Sequence, residues 1–406
     1  MRTTMATENN NKTLNVPNKR EQSQTCLDYA ERKEQSPQGN VPNLRFPEFS
    51  GEWECKKLGD IGTTLIGLTY SPQDVVPSDG TIVLRSSNIK GGLLDYTDLV
   101  RVNKKIKESI ITRTNDILIC ARNGSARLIG KNAILKDSDC GHTFGAFMMV
   151  YRSEDNPFVH QLLSTKRYYS QVAENLGARI NQITTSDLNS FEFSFPQSNK
   201  EKVKIAGVLS LLDERIATQI KIIEKLESLI KGLCQKLTQQ DNPNTAFNEA
   251  LVCYSSTLQE SSVQGTGNYP VYGATGICGY TDAPEVDGDS ILIIKDGASV
   301  GVTYYASGRY SAIGTLNRLV AKSGYSLRYL YYCLKVFNFA PYRAGLAIPH
   351  IYFRDYGKAK VWCPSLDEQQ RIADALSKVE QKIAIEKSLL EQLYSQKRFL
   401  LQAMFI

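Results

Sequence analysis

Three segments in the first half of the chain group arginine with side-chain amides: Arg85-Ser86-Ser87-Asn88-Ile89-Lys90, Arg122-Asn123-Gly124-Ser125-Ala126-Arg127 and Arg179-Ile180-Asn181-Gln182. The second half offers a sparser set: Tyr272-Gly273-Ala274-Thr275, Lys295-Asp296-Gly297-Ala298-Ser299, Arg343 and His350. A guanidinium suits guanine O6 and N7, an amide suits adenine N6 and N7, and Ser, Thr and Lys add phosphate contacts. These residue types can therefore read base edges. Polar residues in glycine-rich turns are equally what a solvated loop contains, so only the set points to a reading surface. The basic run Arg101-Val102-Asn103-Lys104-Lys105-Ile106-Lys107 is either a backbone contact or a solvated face.

Other chemistry is harder to find. The segment from Gly124 to Lys131 has five residues between its glycines, one more than a phosphate-binding loop. Asn132 also stands where a magnesium-holding hydroxyl belongs. Asp155-Asn156-Pro157-Phe158 and Asp241-Asn242-Pro243-Asn244 lack the second proline of an amino-methyltransferase loop and read as turns. The three histidines (His142, His160, His350) are not at ligand spacing, so no metal site is expected. No nucleophile elbow is present. The pattern is that of a binder.

The 406 residues hold about two or three domains. No apolar run reaches the roughly 18–20 residues of a membrane span, and the first residues lack a secretory pattern. Nine cysteines are scattered singly, as expected of reduced thiols in a cytoplasmic protein. A net charge of +6 allows a polyanionic partner without requiring one.

The elements that must position the candidate residues come in duplicate. Residues 201–237 and 368–404 align without a gap at an offset of 167 (Glu201 to Glu368), sharing Ile205/Ile372, Ala206/Ala373, Leu209/Leu376, Ile216/Ile383, Leu226/Leu393 and Leu233/Leu400. Each opens on a capping-box signal, Ser198-x-x-Glu201 and Ser365-x-x-Glu368. Apolar residues at alternating three- and four-residue spacing then continue for about five heptads. The seam is interrupted at the equivalent positions Gln219 and Glu386, which can face each other and fix register if the helices pair antiparallel. The alternative is that each helix packs on its own globular domain.

The duplication extends outward. Residues 177–183 stand opposite 345–351. Asp116-Ile117-Leu118-Ile119 leads to Asn123-Gly124 as Asp289-Ser290-Ile291-Leu292-Ile293 leads to Asp296-Gly297. The expected fold is α+β: two similar mixed domains (residues 43–197 and 241–364), each followed by a long helix (198–240 and 365–406), the helices forming an antiparallel coiled coil about an internal pseudo-two-fold. Residues 1–42 are polar enough to form a disordered or partner-ordered arm.

Several segments carry a family resemblance: residues 43–53 ending in Trp53, the Trp53-Glu-x-Lys-Lys-Leu-Gly-Asp-Ile stretch, Tyr269-Pro-Val-Tyr-Gly-Ala-Thr-Gly, and Pro364-Ser-Leu-Asp-Glu-Gln-Gln-Arg-Ile-Ala. Together they resemble the specificity subunits of type I restriction–modification systems, over residues 43 to 406. The first copy of the helix opening departs by one inserted residue and lacks the Gln. The resemblance implies a non-catalytic subunit whose two target recognition domains each read half of an asymmetric, bipartite double-stranded DNA site. It implies that the helices measure the spacer and dock two methyltransferase subunits, which motor-nuclease subunits join. S-adenosylmethionine, ATP and magnesium would belong to those partners. Rival readings are a fused single-chain restriction–methylation enzyme and a coiled-coil scaffold.

Overall fold

A computed structural model describes residues 40–176, 181–240, 242–345 and 347–406. It divides into two units, the first built from residues up to Asp213 together with Ser395–Ile406, the second from Glu214–Tyr394. Both long helices, Asn199–Thr238 and Leu366–Met404, contribute to both units. Their 40 and 39 residues correspond to roughly 60 Å each at 1.5 Å per residue. Among the described residues, no helix is long and apolar enough to cross a membrane.

The first unit centres on a four-stranded antiparallel sheet in the spatial order Thr63–Ile66, Met148–Arg152, Ile117–Cys120, Asn132–Ile134. The Ile117–Cys120 strand is buried at all four residues. Successive side chains leave a strand on opposite faces, and here both faces are covered. Ile117 and Ile119 enter one core with Trp53, Phe158 and Leu209. Leu118 and Cys120 enter another with Leu84, Phe144 and Val150. The continuous apolar run follows directly from this double burial.

The second unit repeats the plan with Leu251–Ser255, Leu316–Ala321, Ser290–Ile294 and Thr303–Ala306. Ile291 and Ile293 join one core, Leu292 and Ile294 the other. Each unit also carries a second four-stranded sheet containing one parallel pair, Thr143–Phe144 with Thr81–Leu84 and Tyr269–Gly273 with Arg309–Ala312. A two-stranded ribbon closes each unit near its long helix, Glu54–Lys57 with Glu192–Phe195 and Thr245–Ala246 with Lys360–Val361.

Matching bonds attach each unit's short helix to a long one. In the first, Gln161 on Asn156–Leu162 donates to Asp213 Oδ2 at 3.1 Å. In the second, Tyr332 on Leu327–Val336 donates to Glu380 Oε2 at 2.8 Å. Asp213 and Glu380 are 167 positions apart, so equivalent acids do equivalent work. The Asp155–Phe158 segment, which reads as a turn in the sequence, instead opens the helix Asn156–Leu162 with Pro157 in its first turn, and a second helix follows at Lys166–Leu176. Thr165 ends the first part by donating to Leu162 O (2.7 Å) and starts the second by accepting from Tyr168 N (3.4 Å).

The seam residues pack in two ways. Ile205 and Leu209 belong to the first unit's core with Leu401, Met404 and Phe405. Ile372, Leu376 and Ile383 belong to the second unit's core with Ile230 and Cys234. Within the second unit Gln219 donates to Glu386, through the backbone O at 3.0 Å and through the carboxylate. Glu380, closer to the start of its helix, borders the same groove as Cys234, farther along the other. The partners therefore run antiparallel. Both Gln219 and Glu386 are buried, and Lys382 Nζ (2.5 Å), with the Gln219 amide, holds the Glu386 carboxyl below its ordinary range.

The capping boxes fare differently from expectation. Glu201 is buried, and Arg45 grips its two carboxylate oxygens at 2.7 and 2.8 Å while Trp53 Nε1 approaches at 3.4 Å. A bidentate guanidinium outcompetes the single backbone N–H of a cap, so the Glu201 carboxylate is spent on holding the 43–53 segment. At the second helix, Ser365 Oγ accepts from Glu368 N at 3.4 Å, but Glu368 itself pairs with Arg371.

His160 is buried beside Lys397 and Asp213, with its imidazole pushed down to about 4 by burial first and by Lys397 second. A buried neutral imidazole with a depressed value costs stability once the unfolded chain takes up a proton. The loss should begin as pH falls below about 6.5 and level off near pH 4. Denaturant midpoints measured across this window should fall more steeply for the native chain than for His160→Gln. Parallel curves would show that His160 is not the group responsible.

Candidate nucleic-acid interface

The strand buried on both faces ends, in each unit, in a loop that meets the segment before a short helix. Two backbone hydrogen bonds define this junction in the first unit. Ile183 N donates to Ala121 O (2.9 Å) and Asn123 N donates to Asn181 O (3.3 Å), which sets Arg122 opposite Gln182 as an antiparallel bridge. The second unit has the same two, Ile351 N to Lys295 O (2.9 Å) and Gly297 N to Pro349 O (2.9 Å), which set Asp296 opposite His350. Gly130 N to Cys120 O and Gly301 N to Ile294 O close both loops at 2.9 Å. The frame thus equates Arg122 with Asp296 and Gln182 with His350. Sequence comparison alone, anchored on Asp116 and Asp289, sets Asn123 against Asp296. The extra strand residue Ser290 accounts for the difference of one.

In the first unit the junction gathers a third segment. Asn123 Nδ2 donates to Ser86 Oγ (3.0 Å), Lys131 Nζ reaches Ser86 O (3.4 Å), and Asn181 Nδ2 donates to Gly124 O (3.1 Å). Asn181 adopts φ 52°, a left-handed conformation that Asn tolerates better than most residues. Arg122 is exposed, with its guanidinium 5.2 Å from the ring centroid of the exposed Phe147. Ser125 and Arg127 are exposed on the same loop.

The other candidates of this unit are placed differently. Asn88 is fully buried: its amide donates to Asp95 O and Asp98 O and accepts from Arg85 N. It shapes the 85–98 turn and offers no edge to a ligand. Arg85 is paired with Asp98 at 2.8 Å, and the exposed Lys90 pairs with Asp95. Lys104 in the basic run is tied to Asp74 and Thr69 O. Arg179 lies outside the described residues.

In the second unit, His350 Nδ1 lies 2.7 Å from Asp296 Oδ1, while Lys295 Nζ is 3.4 Å from Asp296 Oδ2. Ala344 and His350 exchange both backbone hydrogen bonds, at 2.7 and 2.9 Å. Ser299 is exposed, and so is Arg343, although its guanidinium donates to Val300 O. The turn bearing Tyr272 and the exposed Thr275 is held elsewhere. Ala274 O accepts from Tyr304 Oη (3.2 Å), and the Tyr272 ring meets Tyr310 edge-on at 5.6 Å. Phe147, Tyr352 and Arg354 were not singled out from sequence. Tyr352 stacks 6.5 Å from His350 and carries Arg354 over its ring at 4.9 Å. The alternation His350-x-Tyr352-x-Arg354 around the buried Ile351 was the available signal.

A family model described as the type I restriction modification DNA specificity domain matches residues 50–228 and 255–395. The chain is similar to the type I restriction enzyme EcoKI specificity subunit of Escherichia coli K12, 27% identical over 192 residues, 45% of this chain and 41% of that one. It is also similar to the StySPI specificity subunit of Salmonella potsdam, 26% identical over 192 residues with the same shares. The match therefore spans less than half the length of these relatives. In fold, the chain resembles the crystal structure of the type I restriction-modification system S subunit from M. genitalium. That likeness has a TM-score of 0.63 and 19% identity, over 90% of this chain and 99% of that one.

Two glycines of the second unit's loop, one in the junction and one closing the loop, give a graded test. Gly297 and Gly301 have φ of 98° and 93°, but a Cβ on Gly297 meets nothing within 4 Å while one on Gly301 would fall 2.7 Å from the Phe339 ring. Both alanine variants carry a left-handed penalty of about 1–2 kcal/mol, and Gly301→Ala adds about 1–3 kcal/mol of overpacking. Thermal unfolding should rank Gly301→Ala clearly below Gly297→Ala. Equal losses would mean that Phe339 yields.

Proposed function

Because the chain belongs to the type I restriction-modification DNA specificity family, we propose that it is the sequence-reading subunit of such a complex, each unit contacting one half of a bipartite, asymmetric double-stranded DNA site. The observation that carries this reading is the shared junction. The same two hydrogen bonds present Arg122 and Gln182 in one unit and Asp296 and His350 in the other. A common frame with different chemistry is what two unlike half-sites require. Arg122 and Gln182 suit guanine and adenine respectively, and Phe147 beneath the guanidinium restricts its orientation.

On this reading the subunit performs no catalysis. Two methyltransferase subunits dock on the long helices and motor-nuclease subunits join them, and these partners bind S-adenosylmethionine, ATP and magnesium in the cytoplasm. The helix pair sets the spacer between half-sites, with the buried Gln219–Glu386 contact fixing its register. The curated relatives named above are themselves specificity subunits, which supports the assignment.

Co-expression with a cognate methyltransferase, followed by mapping of methylated adenines, should reveal one bipartite motif. Arg122→Ala and Gln182→Ala should each relax a single position of one half-site, at a cost of about 1–3 kcal/mol in discrimination. Absence of new methylation, or relaxation of both half-sites together, would refute the assignment. Lengthening both long helices by one heptad in register should widen the mapped spacer and leave both half-sites intact. An unchanged spacer would dismiss the ruler.

A further inference from the structure

The Asp296–His350 pair is built more firmly than a solvated ion pair. Its backbone is fixed by the Gly297–Pro349 hydrogen bond and by the two reciprocal hydrogen bonds between Ala344 and His350. Its ring is restrained on one side by Tyr352, whose plane lies within 23° of the imidazole. Asp296 faces Lys295 with one oxygen and Nδ1 with the other. A carboxylate accepts only, so Nδ1 must carry the proton in the neutral ring. The remaining polar atom, Nε2, is then an acceptor, and the His350 side chain is 34% exposed. Lys295 pairs with Asp296, Arg354 lies over the Tyr352 ring, and the Arg343 guanidinium is committed to Val300 O.

We propose that Asp296 is a positioning residue that fixes the tautomer of His350, and that His350 Nε2 reads an exocyclic amino group on a base edge, adenine N6 or cytosine N4. Guanine O6 and thymine O4 in the same place would set acceptor against acceptor. This inference rests on the reading that the second unit contacts DNA. It assigns polarity as well as contact: with Nδ1 donating to Asp296, the ring selects amino-bearing bases over carbonyl-bearing ones.

The test uses the assembled complex with its methyltransferase subunits and competing duplexes varied one position at a time. At pH 8, one position of one half-site should favour an amino-bearing base about tenfold, the lower end of what a base-edge contact supplies. Deleting the amino group with a base analogue should abolish that preference. His350→Ala should flatten the position. Asp296→Asn can accept from or donate to the ring by flipping its amide, so it should bring discrimination to near unity with little change in overall affinity.

A preference that persists when the amino group is deleted, or a His350→Ala variant with unaltered selectivity, would overturn the proposal. If exchanging loop residues 295–299 alters the half-site while His350→Ala does not, the unit reads DNA by other groups and only this inference falls. If neither change touches either half-site, the underlying reading of the second unit falls with it.

Discussion

Two strands, Ile117–Cys120 and Ser290–Ile294, are covered on both faces, and the placement of everything at their ends depends on that. A strand with one wet face can slip by two residues at moderate cost. One that feeds two cores cannot slip by any amount without exposing apolar side chains or burying polar ones. The loop leaving it therefore starts from a fixed point and a fixed direction. Backbone hydrogen bonds to the 181–183 and 349–351 segments then fix where the loop goes. What varies between the units at this frame is the side chains mounted on it and the loop length, nine residues between Cys120 and Gly130 against six between Ile294 and Gly301.

The long helices reconcile two demands that looked like alternatives in the sequence. Their apolar positions are too numerous for a partner helix alone, and the structure spends them on both globular cores and helix contacts. The equivalent acids Asp213 and Glu380 each accept a bond from the short helix of a globular unit, by an amide in one case and a phenol in the other. A duplicated backbone contact has thus been kept while its donor diverged. Gln219 and Glu386 are themselves an equivalent pair that meet each other, so the contact is between two copies of one position. Their divergence into amide and carboxylate gives a donor and an acceptor where two carboxylates would repel.

The repeat, the two long helices, the mixed sheet texture and the family were all legible in the residues, because each rests on a period or a spacing that survives divergence. The junction itself was legible only to within one residue. Ser290 lengthens its strand without changing its look, and only hydrogen bonds reveal which residue of the loop faces the bridge. Asn88 was misleading for a related reason: an Asn in a polar turn reads as a contact residue, yet its amide is what folds the turn. The Ser-x-x-Glu signal at Glu201 also named the right helix start and the wrong bond. The competitor, Arg45, lies far away in sequence, and no local pattern announces it.

The last residues of the chain have a consequence for synthesis. Trp53 and Phe158 share an aromatic cluster with Phe405, at centroid distances of 6.3 and 5.4 Å, and Leu44 N donates to Ala403 O. The second unit is continuous in sequence, whereas the first is closed by residues made after it. At roughly 5–20 residues per second, Trp53 waits on the order of tens of seconds for Phe405. A nascent chain therefore carries an open apolar face through most of its translation, and the unit begun first is the one finished last.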